Sequence, residues 1–181
     1  AKGVGYNCTK DFKIMYLPFP QIKQLLLAGS ADAAVTPEPQ ATSLILESGG
    51  KLKIILDLQK EFTRTHTNWT GEEYPGGSLW VVASNVKGKE KAVKLFISVF
   101  KKAIEYANKY PDETGDIAEK YLEKYFGLKL SAGAISESLK TGRLYLEFRE
   151  AESVKPMLIE FLKIMNYPVP DKEIYYEAAE G

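Results

Sequence analysis

Residues 25–41, which read LLLAGSADAAVTPEPQA, decide the fold that the sequence predicts. The apolar helix pattern stops at Gly29, a residue that commonly ends helices. ADAAV at residues 31–35 has the composition of a short buried strand, and Pro39 suits the first turn of a following helix. The stretch therefore predicts a strand that leads directly into a helix, with Glu38 held between two prolines at the junction.

The flanking segments extend this alternation in both directions. DFKIMYL at residues 11–17 and KLKIILDL at residues 51–58 have strand patterns, whereas residues 21–28 and 40–48 have helix patterns. Residues 11–58 thus read strand, helix, strand, helix, strand. This order predicts an α/β unit with a mostly parallel sheet.

The second half of the chain is predicted to be mainly helical. Residues 59–77 are polar, aromatic and rich in Gly and Pro, which is typical of a connection, and residues 78–85 (SLWVVASN) resemble a strand. A long helix follows Lys89, Ser131 is a suitable N-cap for a later helix, and residues 143–148 form a short extended piece. The long helix carries one apolar face, made of Val93, Phe96, Ile97, Phe100 and Ile104.

The composition argues against several classes of function. The 24 basic and 24 acidic residues give a formal net charge of zero, without the basic excess of a nucleic-acid-binding protein. Cys8 is the only cysteine, which excludes an intrachain disulfide and a cysteine metal site. His66 is the only histidine and has no nucleophile motif near it. The sequence therefore predicts a protein that is not an enzyme and that has no metal site and no cofactor.

Ligand-binding candidates follow from the predicted topology, because ligands of open parallel sheets bind at the carboxyl ends of the strands. Two strand-to-helix loops and the aromatic connection supply them. Glu38 has three readings, since it can accept a hydrogen bond from a ligand N–H, cap its own helix or form a pair between the two lobes. The aromatic residues can form a ligand wall or pack between two lobes. The predicted contacts are Thr36, Glu38, Phe19, Gln21, Pro18, Trp69 and Tyr74.

The ordered series of segments resembles a known family. Residues 17–58, with LPFPQ, LAGSADAAV, TPEP and GG, resemble the second lobe of ABC-transporter substrate-binding proteins for sulfonates, taurine, nitrate and thiamine-precursor pyrimidines. YPGGSLWVV from residue 74, the following long helix and the turn YPDE at residues 110–113 are similar to later parts of the same proteins. The resemblance covers nearly the whole chain, although no single motif decides it.

The resemblance implies a fold and a division of the chain. The implied fold is the type II periplasmic-binding-protein-like α/β class, a mixed and mostly parallel sheet with flanking helices, here as an incomplete two-lobed clamshell. Residues 1–70 are expected to form part of lobe two, residues 71–78 the hinge connection, and residues 79–181 the return strand and the C-terminal helices of lobe one. The family's opening segments are not found in the sequence, which suggests an N-terminal truncation.

The resemblance also implies a function. A small polar solute of sulfonate, nitrate, amine or pyrimidine type would be captured between the lobes and delivered to an ABC permease in the membrane. The implied location is periplasmic, or extracellular with a lipid anchor. Two alternatives stay open: a small-molecule enzyme of the menaquinone or thiamine-precursor pathways, and a ligand-sensing effector domain. An incomplete lobe would leave apolar surface and sheet edges open, so self-association is expected as well.

Overall fold

The computed structural model describes residues 10–66, 76–79 and 81–170, together with Asn7 and Trp69. The described residues form helices connected by non-helical segments. The helices are α1 (Phe19–Leu27), α2 (Gln40–Glu47), α3 (Leu58–Thr65), α4 (Ala83–Val86), α5 (Glu90–Lys109), α6 (Pro111–Phe126), α7 (Ala132–Lys140) and α8 (Ala151–Ile164).

The predicted α/β fold is wrong. No residue within the described ranges belongs to a β-strand, so the mostly parallel sheet of a type II periplasmic-binding clamshell is not formed there. The predicted strands at residues 11–17, 31–35 and 51–57 do lie outside the helices. A strand, however, exists only through hydrogen bonds to a neighbouring strand. The alternating pattern correctly identified segments that are not helical, but it does not show which strands would pair with them.

Two further predictions fail near the middle of the chain. Helix α3 begins at Leu58, within the predicted strand, and runs into the predicted connection. Asp57 starts this helix, because its carboxylate accepts hydrogen bonds from the backbone N–H groups of Gln59 and Lys60. Helix α4 occupies part of the predicted strand at residues 78–85. At α3, local capping therefore outweighed the apolar composition on which the strand prediction rested.

The helix predictions are confirmed for most of the chain. Helices α1 and α2 fall where the apolar pattern placed them, and the long helix after Lys89 is α5. Helix α6 ends at Gly127, whose φ of 64° is the left-handed conformation that glycine adopts without strain. The predicted N-cap Ser131 starts α7 by accepting a hydrogen bond from Ala134 N–H at 3.2 Å.

The best-packed part of the molecule lies where α2, α6 and α7 meet. Helices α6 and α7 pack closely at Gly115, where a Cβ atom would overlap the carbonyl oxygen of Ala132. Ser136 of α7 donates a hydrogen bond to Asp112 Oδ1 of α6 at 2.5 Å, and Lys140 forms an ion pair with the same oxygen. The buried side chains of this core include Leu44, Leu130, Ala134, Ile135, Thr42, Ser43 and Ser138.

Helices from the start of the chain thus contact helices near its end. α2 packs on α7, and Phe62 of α3 lies 5.5 Å from Phe161 of α8 between ring centroids. The division into residues 1–70, 71–78 and 79–181 stays a prediction, because it concerns lobes that these contacts do not define.

Candidate functional site

The charged pair Glu38 and Arg143 joins the start of α2 to the segment that follows α7. Glu38 Oε2 accepts hydrogen bonds from the backbone N–H of Thr42 at 3.1 Å and from its hydroxyl at 2.7 Å. Arg143 Nε lies 3.4 Å from Glu38 Oε1 and donates a hydrogen bond to Thr42 Oγ1 at 3.2 Å. The three side chains therefore form one polar cluster across 101 positions of sequence.

Local structure places each member of this cluster. Glu38 precedes the N-cap Pro39, so its carboxylate reaches the free N–H groups of the first turn of α2. On the other side, Gly142 adopts a φ of 69° after α7, and Leu144 N–H bonds back to the carbonyl of Ser138. This helix ending turns the chain so that Arg143 faces α2.

The cluster is partly shielded from water. The Glu38 side chain is 14% exposed and that of Arg143 is 34% exposed. Glu38 Oε1 is buried and accepts no hydrogen bond, because Arg143 Nε approaches it as an ion pair without hydrogen-bond geometry. The carboxylate therefore has one oxygen committed to the helix and one oxygen with unused acceptor capacity.

The cluster borders a large concave space. Its walls come from α1, α2, α3, α5, α8 and the non-helical segments, and its volume is about 3550 Å³. Small-molecule pockets usually enclose about 300–1,000 Å³. The space as a whole is therefore too large for one solute, and a binding site must be a small part of its wall. The apolar face predicted for α5 contributes all of its residues to this wall, namely Val93, Phe96, Ile97, Phe100 and Ile104.

The structure separates the residues of the two predicted strand-to-helix loops. Thr36 and Glu38 lie on the wall of the concave space. Pro18, Phe19 and Gln21 form the start of α1 and lie outside that wall, with Pro18 and Gln21 exposed. The two predicted strand-to-helix loops are thus not brought together as one surface, because the sheet that would align them is not formed.

Trp69 lies in an aromatic cluster away from Glu38. Its indole ring is 7% exposed and packs edge-on against Phe62 at 5.3 Å and against Phe161 at 6.2 Å, between ring centroids. His66 stacks on the same Phe62 ring at 4.4 Å. These contacts bury the Trp69 ring among aromatic side chains, and its role as a ligand contact stays a prediction. Tyr74 lies outside the described residues.

Arg143 is the site residue that the sequence did not reveal. It follows a helix-ending Gly in TGR, a context that reads only as a turn. The one available signal was the rarity of arginine in a lysine-rich chain, since arginine is favoured in partly buried ion pairs. That signal does not identify Glu38 as its partner.

A second ion pair supports α2 from its other end. Lys23 Nζ of α1 lies 2.5 Å from Glu47 Oε2, and Ser43 Oγ donates a hydrogen bond to Glu47 Oε1 at 2.8 Å. Burial acts to raise the pKa of Glu47, but the hydrogen bonds from Lys23 and Ser43 outweigh it and hold this pKa below its usual value. Helix α2 is thus held by a charged contact at each end.

The described residues offer no cluster of His, Cys, Asp and Glu that could hold a metal ion. None of the described helices combines the length and the apolar character that crossing a bilayer requires. Comparison with known proteins found no matching family model, no matching curated protein and no matching solved structure.

Proposed function

We propose that this chain captures a small polar solute for an ABC importer and delivers it to a membrane permease. The observation that carries the proposal is the unused acceptor on Glu38 Oε1 beside the guanidinium of Arg143, on the wall of the concave space. The reason for naming an ABC importer as the partner is the ordered resemblance of the sequence to substrate-binding proteins. The importer assignment rests on that resemblance alone.

The chemistry of the pair favours one part of the expected solute range. Arg143 directs Nε toward Glu38 and Thr42, which leaves its outer N–H groups for a ligand acceptor. Glu38 Oε1 needs a donor. A solute with an N–H donor next to an acceptor satisfies both, as an aminopyrimidine or a zwitterionic amine does. Nitrate would use only Arg143 and would be repelled by the neighbouring carboxylate.

Binding would proceed by exchange of partners within the cluster. Arg143 is one-third exposed and can rotate toward the concave space, which uncovers Glu38 Oε1. The ligand donor then replaces the ion pair, and Thr36 on the same wall can contribute a further hydroxyl. Glu38 Oε2 meanwhile stays bound to Thr42, so that the start of α2 holds the carboxylate in place.

The test is calorimetric titration of the purified chain with four probes: a 4-aminopyrimidine, the zwitterionic amine taurine, methanesulfonate and nitrate. We expect heat of binding from one of the first two probes and none from nitrate. Arg143→Met should weaken the interaction at least tenfold, the loss expected for one charge-assisted hydrogen bond. Arg149→Met is the matched control, because Arg149 lies on the same wall but pairs with Glu147 instead.

Two results would contradict the proposal. One is the absence of binding by all four probes to a chain whose circular dichroism shows it to be folded. The other is equal binding by the wild type and the Arg143→Met variant. Chemical conversion of a bound probe, followed by mass spectrometry, would replace solute capture with an enzymatic function.

A further inference from the structure

Three non-helical segments expose apolar side chains to the concave space. They are residues 11–17, 31–35 and 51–57, each of which has a strand pattern in the sequence. In the third segment Ile54 is 46% exposed, Ile55 is 85% exposed and Leu56 is 55% exposed. A contiguous apolar surface of this kind usually marks a site of association.

The backbone of the third segment is unpaired as well. Within the part of the chain that the structure describes, the N–H and C=O groups of residues 53–56 make no hydrogen bond. Apolar ligands and lipid chains offer no hydrogen-bonding groups that could pair with such a row. Another polypeptide strand pairs with the groups along one edge of the segment, which belong to alternate residues, and it also covers part of the exposed apolar side chains.

The charge of the chain also permits contact between two copies. A net charge of zero adds no long-range repulsion between them.

We propose that a second copy of this chain covers the surface, and that residues 51–57 pair antiparallel with the same residues of the partner. The sequence KLKIILD is self-complementary about Ile54. In this register Lys51 lies opposite the partner's Asp57, Leu52 opposite the partner's Leu56, and Ile54 on the two-fold axis. Opposite charges therefore meet at both ends, and Leu52, Ile54 and Leu56 meet the same residues of the partner on one face. On the other face Lys53 lies opposite the partner's Ile55.

Asp57 is able to accept this additional partner. Its Oδ1 atom caps α3, while Oδ2 has only a weak contact with Lys60 Nζ at 3.7 Å. The Asp57 side chain is about half exposed. The proposed interface therefore uses an oxygen that α3 does not require.

The first test uses charge reversal and analytical ultracentrifugation. The wild-type chain should dimerise, and Lys51→Asp should weaken dimerisation roughly tenfold because both symmetry-related pairs become repulsive. Lys53→Asp is the matched control, since the opposing partner residue is the uncharged Ile55, and its effect should be several times smaller.

The second test fixes the register by cross-linking. Ile54→Cys in a Cys8→Ser background should form an intermolecular disulfide on mild oxidation, because residues on the two-fold axis come within the Cα separation that disulfides span. Ile55→Cys in the same background should not. A wild-type chain that stays monomeric at all concentrations would overturn the proposal. Dimers that form equally in Lys51→Asp, or that cross-link equally through both cysteine variants, would also overturn it.

Discussion

The contact between Glu38 and Thr42 provides the sharpest test of the site. Glu38→Ala removes the acceptor that caps α2 and leaves the N–H and hydroxyl groups of a fully buried Thr42 without their carboxylate partner. Loss of a helix cap costs about 1 kcal/mol, and a buried polar group without a partner costs about 1–3 kcal/mol. The ion pair with Arg143 adds at most about 1 kcal/mol, because Arg143 is one-third exposed.

These contributions overlap, so the expected loss for Glu38→Ala is about 2–4 kcal/mol of unfolding free energy. Glu38→Gln keeps a side-chain oxygen in the same position and should lose about 1 kcal/mol or less. The measurement is urea denaturation followed by circular dichroism. A loss below about 0.5 kcal/mol for Glu38→Ala, or equal losses for both variants, would refute the assignment of Glu38 as the cap of α2.

Three further predictions concern packing and charge. Gly115→Ala should lower the free energy of unfolding by about 1–3 kcal/mol, because the new Cβ has no space between α6 and α7. Gly133→Ala should raise this free energy by up to about 1 kcal/mol, because the space around Gly133 is open. Thermal melts of the two variants test this difference. The hydrogen bond from the Lys140 ammonium holds the pKa of Asp112 below its usual value. Asp112 therefore stabilises the fold at pH values above its unfolded pKa of about 3.9, and this contribution is lost as the pH falls through the folded pKa. Asp112→Asn should therefore lower the urea midpoint at pH 7 and have a much smaller effect at pH 2, and the same decrease at both pH values would contradict this charge effect. Trp69→Ala should lower the free energy of unfolding by about 3–5 kcal/mol. Trp69→Phe should lower it clearly less, because the indole N–H makes no hydrogen bond that could be lost. Equal decreases for the two variants in urea denaturation would contradict the packing argument.

The helices could be predicted because their signals are local. The apolar face of α5 repeats within one helix, Ser131 lies next to the turn that it caps, and Gly127 ends α6 by its own conformation. Each signal acts over a few residues, so the sequence contains all of the relevant information.

The sheet and half of the site could not be predicted in the same way. The strand pattern of residues 51–57 indicates that these residues are not helical, but a sheet requires a partner strand from another part of the sequence. Glu38 was identified from its place before a helix, whereas Arg143 becomes its neighbour only through the packing of α2 on α7. α3 was missed because the capping by Asp57 was read as the end of a strand.

The separation of Thr42 and Arg143 along the chain has a consequence for synthesis on the ribosome. At about 5–20 residues per second, the 101 positions between them take about 5–20 s to translate. During that interval α2 has emerged, but the α7 surface that buries Thr42 and Ser43 has not yet been made. The newly made chain therefore exposes the face of α2 that α7 later covers for seconds before this native contact can form. A holdase chaperone that binds this interval should increase the yield of folded chain more than one that acts after release.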